Sequence, residues 1–102
     1  MAKRIYISGP MTGVENCKEG FAKAEQELQE QGHCVVNPAL VDFILPEGSY
    51  EEYMQVDMFL LNMCDAIYMI KGWEKSCGAN REYGYALAKG MEIMFELPAE
   101  GR

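Results

Sequence analysis

The chain is short of basic residues: nine Lys and Arg stand against sixteen Asp and Glu, for a formal net charge of -7 over 102 residues. Binding along a DNA or RNA backbone needs a basic face, so the balance argues against that class of function. An anionic ligand must instead be met by a local cluster of cations or by backbone amides. Histidine is nearly absent, with His33 alone, and Cys17, Cys34, Cys64 and Cys77 show no C-x-x-C spacing. Both absences argue against a zinc site, and no metal or organic cofactor is expected. Reduced thiols suit the cytoplasmic setting in which the chain is expected. No apolar run is long enough to span a membrane, and Met1-Ala2-Lys3-Arg4 leads directly into a strand-like segment, not a signal sequence. Repeats, low-complexity tracts and linkers are missing too. With 49% hydrophobic and 25% charged residues, positions 1–102 read as one folded domain with a single core.

What is present is alternation. Ile5-Tyr6-Ile7-Ser8 reads as a buried strand running into a loop through Gly13, and a helix of about four turns follows, with Phe21, Ala24 and Leu28 on one stripe and Gly32 as its stop. Cys34-Val35-Val36 is a second strand, closed by Asn37-Pro38 and followed by a loop to about Ser49. Ser49-Tyr50-Glu51-Glu52 has capping-box spacing for a helix that runs to about Cys64. Ala66 to Ile70 is a third strand, a helix carrying Glu82 ends near Gly90, and Met91 to Phe95 is a fourth strand. Strands alternating with helices predict βαβ units and a short parallel sheet covered on both faces, an α/β three-layer sandwich of flavodoxin-like type. Ligands of such sheets bind beyond the carboxyl ends of the strands where strand order reverses. With order 2-1-3-4, the loops after Ser8 and after Ile70 flank that point.

The segment Ser76-Cys77-Gly78-Ala79-Asn80-Arg81-Glu82 places a carboxylate in the first turns of a small-residue helix that opens from a glycine-containing loop. The helix N-terminus favours the ionised form of Glu82, and Gly78, Ala79, Gly84 and Ala86 leave room for a ligand near the backbone, so Glu82 is a candidate nucleophile. The alternative is an acid that merely suits a helix start. On the helix before it, Gln55 and Asn62 mark the polar side. Asp57 lies about 200° from Gln55 and about 140° from Asn62, on the apolar side, where an unpaired carboxyl acquires a raised pKa and becomes a candidate acid. A structural carboxylate paired with a buried donor has the same pattern. Tyr6 shares a strand face with Ser8, so its hydroxyl reaches either the site floor or a partner in the core. Lys71, Lys75 and Arg81 cluster before and beside Glu82, which suits an anion or simply solvent. Ser76 and Gly78 offer a hydroxyl and amides to a phosphate. Trp73 either stacks on a base or covers the loop. The Ser8-Gly9-Pro10-Met11-Thr12-Gly13 loop matches neither the P-loop nor the dinucleotide fingerprint.

Taken together, Ile5 to Gly13, Asp57 to Asp65, Gly72-Trp73-Glu74 and Gly78 to Ala88 resemble the nucleoside 2-deoxyribosyltransferase superfamily, and in particular its small branch from bacteria and their phages. The resemblance implies that Glu82 attacks the anomeric carbon of a deoxynucleoside, that Asp57 assists at the base or sugar, and that Tyr6 contacts the nucleophile. Six residues before the glutamate, Ser76 stands where deoxynucleoside 5'-monophosphate N-hydrolases carry a phosphate-binding serine and nucleoside transferases carry an aspartate. The expectation is therefore hydrolysis of the N-glycosidic bond of a deoxynucleotide through a glycosyl-glutamate. Ser8, Gly9, Pro10, Met11, Thr12, Gly13, Trp73, Ser76 and Gly78 would hold the substrate. Transfer between bases and a non-catalytic nucleotide-binding role are the alternatives, and a homodimer is the expected assembly.

Overall fold

Ile5, Tyr6 and Ile7 expose no surface at all, the condition of a strand covered on both faces. They belong to β1 (Arg4–Ser8), the first element of a computed structural model that describes residues 2–11 and 17–97. After it come α1 (Cys17–Glu30), β2 (Cys34–Val36), a 3-10 turn (Pro38–Leu40) continuing into α2 (Val41–Ile44), and α3 (Tyr50–Asn62). Then follow β3 (Ala66–Met69), a second 3-10 turn (Trp73–Lys75), α4 (Cys77–Lys89) and β4 (Glu92–Phe95). The strands form one sheet in the order β2-β1-β3-β4 with every pair parallel. This is a flavodoxin-like α/β arrangement, and its order reverses between β1 and β3.

Strand alternation distributes the core. Ile5 and Ile7 face α1 and pack with Phe21, Ala24 and Leu28. Tyr6, Ile67 and Met69 face the opposite layer, where Leu61 of α3 and Ala79 and Ala86 of α4 meet them. The helix boundaries follow local chemistry. Ser49 is the N-cap of α3, not its first residue: its side chain accepts from the Glu52 N–H, and the Glu52 carboxylate accepts from the Ser49 N–H. Gly90 closes α4 in the left-handed region at φ 77°.

The stretch from Asn37 to Ser49, expected as a loop, contains the first 3-10 turn and the one-turn α2. Asn37 accepts from the Ala39 N–H and Pro38 occupies the first turn position, so this segment carries its own short-range start signal. Gly9 ends β1 where the chain passes β3 so closely that a Cβ there would lie 2.8 Å from the Ile70 Cβ. Among the described residues, no helix is long and apolar enough to cross a membrane.

Candidate active site

Beyond the carboxyl ends of β1 and β3 opens a cavity of about 970 Å³. Gly9, Pro10 and Met11 bound it on one side and the turn from Gly72 to Ala79 on another. Pro38, Ala39, Val41 and Asp42 form a further wall with Tyr50, Tyr53 and Met54 of α3. The Tyr53 hydroxyl donates to the Leu45 carbonyl at 2.8 Å and accepts from the Gly48 N–H at 2.9 Å, which fixes the connection between α2 and α3. Besides the exposed Asp42, two buried carboxyls face this space, Asp57 from α3 and Glu82 from α4, and each is only 4% exposed.

Glu82 is cradled by β1. The Tyr6 hydroxyl donates to its Oε2 at 2.7 Å and the Ser8 hydroxyl to its Oε1 at 2.6 Å. Residues two apart on a strand share a face, so one pleat aims both hydroxyls at α4. Burial nevertheless pushes the Glu82 carboxyl up to about 7, against the lowering effect of the two hydroxyls and of Arg81. The expectation that the helix start holds Glu82 ionised is therefore corrected. Glu82 lies in the second turn of α4, and Ser76 already occupies the Ala79 N–H of the first turn at 3.1 Å, so desolvation outweighs the dipole.

Asp57 lies on the buried stripe of α3 with Met54 and Leu61, as its helical phase requires. Its Oδ1 is a buried oxygen without a hydrogen-bond partner. Burial, and then the charge of Glu82, pushes Asp57 up to about 7. The Tyr6 phenol is held well above its usual range by burial and by the adjacent Glu82 and Asp57, so it serves as a donor.

The remaining expected residues divide. Gly9, Pro10, Met11, Ser76 and Gly78 line the cavity with Lys75, while Thr12 and Gly13 lie outside the described residues. Ser8 is 1% exposed and faces Glu82, not the cavity, because it is still in the strand and not in the loop. Trp73 lies away from the cavity lining, tilted against Tyr83 with ring centroids 4.6 Å apart and near Phe95. Of the small residues on α4, Gly78 and Ala79 line the cavity. Ala86 is core and Gly84 opens on space away from the cavity lining, so neither of these two borders the cavity. The cationic cluster is also dispersed. Arg81 is paired with Glu51 at 3.0 Å, leaving Lys75 as the member of that trio on the cavity. Missed from the sequence are Lys18 and Asp42, an ion pair at 3.0 Å on the far wall, together with Tyr50 and Tyr53. The hydrophobic run around Val41, ahead of the capping box, was the available signal. Among the described residues no group of three or more His, Cys, Asp or Glu is placed to hold a metal ion.

The family described as "Domain of unknown function (DUF4406)" matches residues 3–95. Among solved structures, the chain is similar to a 2-deoxyribosyltransferase from Bacillus psychrosaccharolyticus, which is described as a biocatalyst for the synthesis of antiviral and antitumoral nucleosides. The TM-score is 0.71 at 27% identity, and the match covers 90% of this chain and 70% of that one. No curated protein matches the chain.

Proposed function

From the premise that the chain belongs to the DUF4406 family, we propose that it cleaves the N-glycosidic bond of a 2'-deoxynucleoside 5'-monophosphate through a covalent intermediate on Glu82. The observation that carries this reading is the pair of buried carboxyls on one cavity with opposite surroundings. Glu82 accepts two hydroxyl hydrogen bonds, which favour its ionised form, and Asp57 has an oxygen with none, which favours its protonated form. A carboxylate and a carboxylic acid around one glycosidic bond is what an oxocarbenium-like reaction requires.

In the first half-reaction a Glu82 oxygen bonds to C1' as the bond from C1' to the base nitrogen breaks. The electron pair leaves with the base, which takes the proton of Asp57. In the second half, water attacks C1' and gives its proton to the Asp57 carboxylate. The ester bond breaks, returning Glu82 as a carboxylate and releasing 2-deoxyribose 5-phosphate. Lys75, Ser76 and the first amides of α4, all at one end of the cavity, would hold the phosphate. A homodimer is the assembly we propose.

Transfer of the deoxyribosyl group to a second base is the alternative, favoured by the similarity to a 2-deoxyribosyltransferase. It differs only in what resolves the intermediate, a base nitrogen instead of water. Incubation with a panel of deoxynucleotides and deoxynucleosides, with and without an added base, tests both by chromatography of released bases. Free base from a monophosphate supports hydrolysis, and a new nucleoside or nucleotide supports transfer. Equal affinity for a nucleoside and its monophosphate by calorimetry would remove the phosphate assignment. Tight binding with no product from any substrate would leave a nucleotide-binding protein.

A further inference from the structure

Two buried carboxyls that repel each other share a single proton over a range of pH, and its location decides which is nucleophile and which is acid. We propose that Ser8 is a positioning residue whose hydroxyl, by occupying Glu82 Oε1, directs that proton to Asp57. This rests on the reading of Glu82 and Asp57 given above, and it assigns to Ser8 a role other than substrate contact.

The geometry is specific. Ser8 is 1% exposed and its Oγ lies 2.6 Å from Oε1, while Tyr6 takes Oε2 at 2.7 Å. A proton on Glu82 would have to sit on an oxygen that already accepts a bond, weakening that bond or reorienting the buried hydroxyl that makes it. A proton on Asp57 meets no such obstacle, because Oδ1 has no partner. Tyr6 alone leaves the choice open, since with Oε1 free Glu82 can carry the proton there and still accept from Tyr6 at Oε2. With Ser8 in place neither Glu82 oxygen is free of a donor, which disfavours that option.

The other charged and titratable groups around Glu82 add to the asymmetry through Tyr6 and Arg81, but none of them occupies Oε1. From β1 there is Tyr6, from α3 Asp57 itself, and on α4 Arg81, which is exposed and turned to Glu51. Lys75 stands on the cavity wall and Cys64 is adjacent to Tyr6, not to Glu82.

The test is a titration of carboxyl carbons by NMR in protein labelled at Asp and Glu, with Glu82→Gln and Asp57→Asn assigning the two signals. In the wild type, Glu82 ionises first and Asp57 second. In Ser8→Ala the Glu82 midpoint rises by about one pH unit or more, the loss of a hydrogen bond to a charged acceptor. Ser8→Thr, which keeps the hydroxyl, restores it. Where substrate is cleaved, the acid limb of kcat/KM moves up in step and its maximum falls, because part of the single-proton population then holds the proton on the wrong carboxyl. An unchanged Glu82 midpoint in folded Ser8→Ala overturns the inference. If Ser8→Ala does not fold, Ser8→Cys, with its weaker donor, must show an upward shift or the inference fails. The readouts separate the two readings. A shifted midpoint in a protein that cleaves nothing removes the proposed reaction and leaves the role of Ser8. Normal cleavage with unmoved midpoint and pH profile removes Ser8 and leaves the reaction.

Discussion

At the scale of the residue, the roles proposed for Glu82 and Asp57 give distinct outcomes. Glu82→Ala and Glu82→Gln are expected to lower base release by at least on the order of a hundredfold while calorimetry shows nucleotide binding nearly intact, because the interaction lost belongs to the transition state. Asp57 is expected to reveal itself in stability as well as rate. Burial pushes both carboxyls up to about 7, above their ordinary range, so the folded state holds protons more tightly than the unfolded chain. The stability this adds is complete below the ordinary carboxylate range and is lost as pH rises through about 7. Thermal melts of the wild type should therefore fall between pH 5 and pH 8, and Asp57→Asn, which cannot ionise, should flatten that fall by about 4 °C or more. Equal slopes for the two proteins would mean that Asp57 is solvated in the fold. The placement of these residues was legible because helical phase and strand alternation are local. Three and four residues along a helix bring Met54, Asp57 and Leu61 onto one side, and two along a strand bring Tyr6 and Ser8 onto one face. Glu82's proton affinity was not legible, since depth of burial depends on layers contributed by distant parts of the chain.

The secondary-structure elements show the same division. Four strands and three long helices could be read from periodicity, and Ser49 and Gly90 marked their ends by cap chemistry. The α2 segment could not, because a single turn carries too few residues to establish a period, and with it went Lys18, Asp42, Tyr50 and Tyr53 as neighbours of the site. Gly9 sits where one element must pass another at close range. Gly9→Ala is expected to cost about 1–3 kcal/mol in urea unfolding, because the Cβ would press on the branched carbon of Ile70, part of the strand exit and not a movable side-chain tip. An unchanged midpoint would show that the β1 and β3 exits separate without penalty. Ser49→Ala should cost about 1 kcal/mol through the lost cap of α3, with base release little changed.

For the molecule as a whole, the layer formed by α3 and α4 leaves Phe59 63%, Met63 50% and Leu87 54% exposed. Large apolar side chains displayed along one layer suit a second copy of the chain. Light scattering should give twice the 11.5 kDa monomer mass, and Phe59→Glu should shift the population toward monomer. A wild-type monomer at working concentration would count against the assembly. The contacts that make the candidate site also span the molecule: the Tyr6 and Ser8 hydroxyls reach Glu82 across sequence separations of 76 and 74 residues. A chain emerging from the ribosome thus presents β1 long before the carboxylate it must meet. Glu82 acquires its donors only after the first and last thirds of the sequence have closed on each other. Refolding followed by enzyme assay should accordingly show no recovered turnover during early helix formation, and turnover should return only with the slowest structural phase, making the reaction its own timer for completion of the fold.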